Sequence, residues 1–173
     1  MVGRIEEEVN HLVPGIYGFT TDETRWMSNY WFSEGCTIDG IPVPTNEHKY
    51  QAAKAKTAAD RNKILFRDFD KNNPYEIKLP FNFTSPGTAK RIGGQISICE
   101  DWDVVKDEVM LAGLREKFSN PEMAKKLIDT DDLYLEETNW WNDTYWGVCN
   151  GKGLNKLGLM LMKVRNELNG RRD

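Results

Sequence analysis

The sequence has few cysteines and no long hydrophobic run. Its three cysteines, Cys36, Cys99 and Cys149, are odd in number and far apart, and none of them belongs to a CxxC pair. This pattern suits a reducing compartment better than a disulfide framework. No segment approaches the roughly 20 apolar residues of a membrane-spanning helix, and the amino terminus lacks the cationic start and apolar run of a signal peptide. We therefore expect a cytoplasmic protein without a membrane partner.

An excess of positive charge and a cluster of histidines are also absent. The formal net charge is -4, which gives no sequence-independent attraction to a phosphate backbone. A protein that merely coats nucleic acid is therefore disfavoured, whereas a small basic pocket stays compatible with this charge. The two histidines, His11 and His48, lie far apart in the chain, so neither a zinc site nor a Cys/His nucleophile pair is indicated. We expect no metal and no cofactor.

What the sequence does contain is enough apolar material for one core. Of its 173 residues, 39% are hydrophobic, and they include six Trp, six Tyr and seven Phe. A chain of this length and composition folds around one core without disulfide or metal staples. We predict a polar lead-in over residues 1–14 and a single domain over residues 15–170.

Local patterns predict several helices and a few short strands. Alanines and lysines after Thr45 favour a capped helix, and Asn120 followed by Pro121 is a typical helix start. Leucine-like residues recur at helical spacing near the carboxy terminus. In chain order we predict a strand over 15–19, a hairpin turn at 39–40, a helix over 46–60, a surface excursion over 69–86 with a short strand at 75–79, helices over 103–119 and from 121, a strand over 133–137, and a helix over 154–168.

The segment over residues 140–158, WWNDTYWGVCNGKGLNKLG, combines large rings with flexible backbone. Core packing is the favoured interpretation for Trp140 and Trp141, because tryptophan is usually well buried. Trp146 differs, since Asp143 precedes it and Gly147 follows it. A ring on such backbone can stack on a planar ligand, and backbone N–H groups at the next helix can meet an anion. That combination suits a nucleotide.

Five motifs in order resemble those of the YbiA-like or NADAR family, which is named for NAD and ADP-ribose. They are SNY at 28–30, PTNEHKYQAAK at 44–54, AKRIG at 89–93, WDVVKDEVM at 102–110, and NDTYWG at 142–147 with GKGLNKLGLMLMKVR at 151–165. The resemblance covers about residues 27–168. It implies an α+β, helix-rich single domain with a small β portion, and it implies an N-glycosidase. Relatives of this kind act on ribosylated pyrimidine intermediates of riboflavin synthesis or remove ADP-ribose from guanine.

The predicted first helix carries three polar residues on one face. Glu47, Gln51 and Lys54 follow the spacing i, i+4 and i+7, so they can address one ligand. On an anonymous helix a solvated stripe of charge pairs would be favoured, but the resemblance reverses that preference. Glu47 then acts on the attacking water or offsets an oxocarbenium charge. Lys54 either binds phosphate or attacks the sugar as a neutral amine, while His48 is interpreted as a packing residue.

Further candidates come from the other motifs. Asp143 is predicted to complete a pair of acids with Glu47, and its alternative is a loop-capping role. Of Lys90 and Arg91, one is expected to hold phosphate and the other to face solvent. The catalytic residues implied by the resemblance are Glu47, Lys54 and Asp143, and the ligand-binding residues are Ser28, Asn29, Gln51, Lys90, Arg91, Trp102, Lys106, Trp146, Gly147 and Asn155. For Trp102 the alternative is a core anchor at helical spacing.

The predicted function is a metal-independent N-glycosidase that cleaves the base–ribose bond of a phosphorylated ribosyl or ADP-ribosyl compound. Its partner is a small-molecule nucleotide or an ADP-ribosylated base, either free or within nucleic acid. A non-catalytic sensor of NAD or ADP-ribose is the main alternative. A nucleic-acid-associated module is a third, and the acidic charge counts against its tight non-specific binding.

Overall fold

The computed structural model describes residues 13–67 and 82–170. The lead-in, up to residue 12, and the strand at 75–79 lie outside these ranges, as does most of the surface excursion. The helices are α1 (Asn46–Ala53), α2 (Ala58–Leu65), α3 (Pro86–Gly93), α4 (Trp102–Lys117), α5 (Pro121–Ile128) and α6 (Lys156–Leu168), with a 3-10 turn at Arg25–Met27. The strands are β1 (Gly15–Tyr17), β2 (Thr37–Ile38), β3 (Ile41–Pro42), β4 (Tyr134–Glu136), β5 (Thr138–Asn139) and β6 (Val148–Cys149).

The strands of these ranges pair two by two. β1 lies parallel to β4, with Gly15 opposite Tyr134. β2 and β3 form the antiparallel hairpin predicted around residues 39–40, and Asp39 and Gly40 both have the positive φ that such a turn requires. β5 lies parallel to β6. Helices with a small β portion confirm the α+β class.

Two hydrophobic clusters form the core, and α1 contacts both. One cluster centres on α4, α5 and α6 and includes Leu114, Phe118 and Leu161. The other contains Ile64 and Leu65 of α2. Because α1 packs against α2, α3 and α4, even its polar residues are buried. The layout therefore holds a row of polar side chains inside the molecule.

His48 illustrates how these buried polar groups are satisfied. Its Nδ1 lies 2.8 Å from the hydroxyl of Thr45, and its Nε2 donates to the carbonyl oxygen of Thr84 at 2.7 Å. Burial lowers the pKa of this imidazole, and the bond to Thr84 opposes that shift. His48 is a satisfied core residue, as the sequence predicted.

The single helix predicted over 46–60 is wrong, since the structure has two helices there. α1 ends before Lys54, and the backbone N–H of Lys56 donates to the carbonyl of Ser97. Thr57 then caps α2, its hydroxyl accepting from the N–H of Asp60. A tertiary contact and a second cap thus override the helix propensity of this stretch.

Helix α3 was not predicted, although the sequence carried a signal for it. Ser85 accepts from the N–H of Thr88, and Pro86 occupies the first turn, a combination typical of a helix start. The remaining predictions hold within a few residues: α4 and α5 form, with Asn120 capping α5, and the strand at 133–137 appears as β4. α6 begins at Lys156 rather than at 154, because Asn155 is its left-handed cap.

Asn155 joins α6 to the chain that leads into the tryptophan-rich loop. Its amide nitrogen donates to the Tyr134 hydroxyl and the Leu135 carbonyl, both at 2.9 Å. Its amide oxygen accepts from the N–H of Glu137 at 3.1 Å. Gly158 lies so close to the Leu135 carbonyl that a side chain would not fit. These contacts fix α6 against β4.

We expect Asn155→Gly to lower the free energy of unfolding by about 2–4 kcal/mol, since a buried hydrogen bond contributes about 1 kcal/mol. Glycine keeps the left-handed backbone accessible, so the loss reports the side chain. Asn150→Gly is the matched control, because Asn150 is exposed and has a similar φ. Its free energy of unfolding should change by less than about 0.5 kcal/mol. Equal losses in urea denaturation would contradict the role of Asn155.

Candidate active site

One cavity of about 580 Å³ opens between α1, α3 and the loop before α6. This volume suits a nucleoside-sized ligand. Six distinct segments line it, and their residues are Phe19, Thr20, Ser28, Asn29, Tyr30, Glu47, Tyr50, Gln51, Lys90, Met110, Glu137, Thr138, Trp140, Trp141, Asp143 and Trp146. Three carboxyl groups, a lysine and several aromatic rings therefore share one space.

Glu47 lies buried on α1 at the cavity wall. Its Oε1 accepts from the amide of Gln51 at 2.7 Å, and its backbone N–H donates to the carbonyl of Asn29 at 3.0 Å. Burial raises the pKa of this carboxyl, and Asp143 adds to the rise. The Gln51 hydrogen bond and the two lysines Lys90 and Lys54 oppose it. Of the predicted ligand-binding residues, Gln51 thus serves at least to orient Glu47.

Buried polar contacts hold residues 28–30 against this helix. The amide nitrogen of Asn46 donates to the Asn29 side-chain oxygen at 2.9 Å. From α4, the Nζ of Lys117 donates to the carbonyl of Ser28 at 2.7 Å. Lys117 is fully buried, which lowers its pKa to about 7. Ser28 and Asn29 therefore line the cavity on a fixed backbone. Lys117 helps to fix that backbone, a role that sequence reasoning missed.

Asp143 both caps its loop and lines the cavity. Its Oδ1 accepts from the backbone N–H groups of Tyr145 and Trp146, at 3.2 Å and 2.9 Å. The side chain of Asn139 clamps the same residue by bonding its N–H and its carbonyl. The loop-capping alternative is thus correct, and Asp143 nevertheless shares the cavity with Glu47.

Glu137 is a third acid that sequence reasoning missed. It follows β4, lines the cavity, and its buried Oε2 has no hydrogen-bond partner among the described residues. Burial raises the pKa of this carboxyl to about 7, and the negative charges of Asp143 and Glu47 add to that effect. A signal existed, because alternation in the predicted strand gives Glu137 the same face as the buried Leu135.

Lysines flank the acids on one side. Lys54, half-buried at the end of α1, is not among the cavity-lining residues. Burial lowers its pKa, while Glu47 raises it and Lys90 lowers it further. A side chain at Gly93 would collide with Gln51 and approach Lys54 Cε to 3.0 Å. The bare backbone at Gly93 thus leaves room for both.

Lys90 and Arg91 are both exposed and differ in their position relative to the cavity. Lys90 lines the cavity, with its Nζ 5.9 Å from the ring centre of Trp141. Arg91 is exposed and does not line it. One cation of the pair is therefore available to a ligand in the cavity.

Trp140 and Trp141 are arranged differently from the prediction. Trp140 and Trp141 are 75% and 41% exposed, so the expectation that they plug the core is wrong. The Asn139–Asp143 clamp pins the two ends of the turn between them, and the rings lie edge to face at the cavity mouth, 4.9 Å apart. Trp146 lies deeper, edge-on to Tyr50 at 5.4 Å.

Two predicted ligand-binding residues on α4 lie outside the cavity. Trp102 is buried against Tyr50 in the core, with ring centres 4.9 Å apart. Lys106 donates to Asp103 at 2.7 Å and lies over the ring of Tyr145 at 4.4 Å. An ion pair and a cation–π contact thus account for Lys106 without a phosphate.

Gly147 and Asn155 also serve the fold rather than the cavity wall. Gly147 lies against the carbonyl of Glu137, where a side chain would collide. The amide of Asn155 is used by the three hydrogen bonds described above. Both residues position the loop that carries Asp143 and Trp146.

Within residues 13–67 and 82–170, no helix is long and apolar enough to cross a membrane. The same ranges contain no group of three or more His, Cys, Asp or Glu side chains arranged to hold a metal ion.

Comparison with known proteins finds relatives over nearly the whole chain. N-glycosidase YbiA of Shigella flexneri serotype 5b is 32% identical over 169 residues, covering 95% of this chain and 94% of that protein. N-glycosidase Npun_R5314 of Nostoc punctiforme is 40% identical, covering 84% and 92%. Riboflavin biosynthesis protein VVA0006 of Vibrio vulnificus is 30% identical, covering 88% of this chain and 38% of that protein.

A solved structure of a relative also resembles this protein. The NMR structure of YbiA from E. coli superposes with a TM-score of 0.68 at 29% identity, covering 94% of this chain and 90% of that one. This likeness confirms the YbiA-like fold. Residues 17–169 match the NADAR domain, and the chain therefore belongs to the NADAR domain family.

Proposed function

We propose that this protein is an N-glycosidase that hydrolyses the base–ribose bond of a phosphorylated ribosyl or ADP-ribosyl compound. The observation that carries the proposal is the convergence of Glu47, Glu137 and Asp143 on one cavity that also holds aromatic rings. Relatives named as N-glycosidases and as a riboflavin biosynthesis protein support the same reaction class.

Acids suit this reaction because the bond breaks with positive charge on the sugar. Carboxylates stabilise an oxocarbenium-like transition state and accept the proton of the attacking water. Glu47 is assigned to the sugar face, since Gln51 orients its carboxyl group. Burial raises the pKa of this group, and the Gln51 hydrogen bond and the charges of Lys90 and Lys54 oppose that rise. Asp143 contributes negative charge from the opposite segment and holds the loop of Trp146.

The lysines have complementary roles in this proposal. Lys90 lies at the cavity and can meet a phosphate as a point charge. Lys54 has two open roles, as a phosphate or ribose ligand or as an amine that attacks the anomeric carbon. Its lowered pKa supports the second role, since a larger neutral fraction makes it a better nucleophile.

The proposal has two candidate substrates: ADP-ribosylated guanine and a ribosylaminopyrimidine phosphate of riboflavin synthesis. Trp146 lies inside the cavity and can contact the base, whereas Trp140 and Trp141 are exposed at the mouth. Exposed rings can stack a second planar group outside the cavity. This feature favours the ADP-ribosyl compound, whose adenine would reach the mouth.

We expect the pure protein to release a free base, identified by mass, from at least one of these two substrates. Glu47→Gln should lower kcat by at least about 100-fold, because it removes a base or charge stabiliser from the transition state, while the circular dichroism stays unchanged. Glu108→Gln, at an exposed position of α4 outside the cavity, is the control and should keep the parent rate.

Unchanged rates in Glu47→Gln would contradict the catalytic assignment. Tight binding of ADP-ribose with no turnover by the parent would instead support the sensor.

Borohydride reduction during turnover tests the nucleophile role of Lys54. If the amine attacks the sugar, the ring-opened adduct is an imine, which borohydride reduces to a stable amine detectable by mass. We expect a trapped sugar adduct in the parent and none in Lys54→Ala. Lys56→Ala removes a lysine that pairs with Glu100 at the surface, so its adduct should persist. Absence of any adduct under turnover would leave Lys54 only the ligand role.

A further inference from the structure

Departure of the base calls for a proton donor, and neither Glu47 nor Asp143 is arranged as one. When the bond between the anomeric carbon and nitrogen breaks, its electron pair stays on the base, which leaves more easily if an acid protonates it. Glu47 accepts a hydrogen bond from Gln51, and Asp143 accepts two from the backbone. Accepting hydrogen bonds is the role of an ionised carboxylate. Both acids are thus arranged as acceptors rather than as proton donors.

Glu137 is also buried, but its hydrogen bonding differs from that of Glu47 and Asp143. Its Oε2 is buried at the cavity and has no hydrogen-bond partner in the described part of the chain. An ionised carboxylate is costly in such a position, because burial removes its water without replacing the lost hydrogen bonds. Protonation removes the charge and creates an O–H group that no described protein acceptor uses. A bound ligand would supply that acceptor.

The charges that face Glu137 come from every side of the cavity. Glu47 on α1 and Asp143 in the loop favour its protonated form, while Lys90 on α3 and Lys117 on α4 oppose it. Tyr30, whose pKa is raised to about 12, faces it as a neutral phenol. Burial has the largest effect, and the pKa of Glu137 rises to about 7. Near neutral pH the group is therefore divided between acid and carboxylate, as a general acid requires.

We propose that Glu137 is the general acid that protonates the departing base, a role that rests on the proposed N-glycosidase function. The bond between the anomeric carbon and the base nitrogen breaks, and its electron pair goes to the base. The proton of Glu137 passes to a ring nitrogen or carbonyl oxygen of that base. Water bonds to the anomeric carbon and gives its proton to Glu47. It attacks that carbon either directly or as it hydrolyses the adduct between the sugar and the Lys54 amine. Proton return from Glu47 or solvent restores Glu137.

This assignment also limits the substrate. The base must present a hydrogen-bond acceptor toward Glu137, as purines and oxopyrimidines can. It also divides the acids by position, with Glu137 on the base side and Glu47 on the sugar side.

Two substrates with different leaving groups test the role of Glu137. One is the base substrate that the parent hydrolyses, and the other is 4-nitrophenyl riboside 5-phosphate, whose phenolate leaves without a proton. We expect Glu137→Gln to lower kcat on the base substrate by about 100- to 10,000-fold, and on the nitrophenyl compound by less than tenfold. In the parent, kcat/KM on the base substrate should fall above about pH 7, and the Gln variant should lose that fall. Formate should restore part of the rate of Glu137→Ala.

Glu136→Gln is the matched control, since Glu136 is the neighbouring acid, bonds to Thr138, and does not line the cavity. It should keep the parent rates on both substrates. Equal losses on both substrates in Glu137→Gln, or an alkaline fall that persists in it, would overturn the role of Glu137. Failure of the parent to release base from any substrate would overturn the proposed function instead.

Thermal unfolding gives a readout that needs no turnover. A carboxyl whose pKa is raised on folding makes the folded state lose stability as pH rises from about 4.5 to about 7. Glutamine cannot ionise, so the Tm of Glu137→Gln should rise relative to the parent across this window and then stay level up to pH 8. For Glu136→Gln the difference in Tm should not follow this course. A Tm difference for Glu137→Gln that is flat with pH would remove the premise of a buried, protonated acid.

Discussion

Helix α1 brings Asn46, Glu47, His48 and Gln51, all buried, between two hydrophobic clusters. Burying such a helix is favourable only if most of its polar groups find partners. Among the described residues, the buried Oδ1 of Asn46 and Oε1 of Gln51 have none. Asn46 bonds to Asn29, His48 bonds to Thr45 and Thr84, and Gln51 bonds to Glu47. These bonds fix the helix and the segment over residues 28–30 in one arrangement. These buried hydrogen bonds therefore hold the cavity wall in place.

The electrostatics of the cavity follow from the same burial. Three acids lie near one another with Lys54, Lys90 and the buried Lys117 around them. Their hydrogen bonds differ, and that difference separates their chemistry. Gln51 and the loop backbone hold Glu47 and Asp143 as acceptors, whereas the buried Oε2 of Glu137 has no donor within residues 13–67 and 82–170. Distinct environments for similar carboxyl groups are what allow one site to supply both an acid and a base.

Sequence reasoning identified most helices and the wall formed by Ser28, Asn29, Glu47, Gln51 and Lys90, because these residues follow helical spacing or family motifs. It failed where tertiary contacts decide. The break after α1 depends on pairing with residues 97–98. The exposure of Trp140 and Trp141 depends on the clamp between Asn139 and Asp143. The lack of a hydrogen-bond donor at Oε2 of Glu137 depends on which described side chains surround it in the fold, and no local sequence pattern encodes that property.

The parallel pairing of β1 with β4 has a consequence for how the molecule acquires its cavity. Residues 15–17 must meet residues 134–136 across most of the sequence, and Glu137 follows immediately. Contacts between such distant segments close large loops and are made slowly compared with local helices. We therefore expect the acidic centre to assemble late in folding, and an amino-terminal fragment ending before β4 would contain α1 without the segment that carries Glu137 and Asp143.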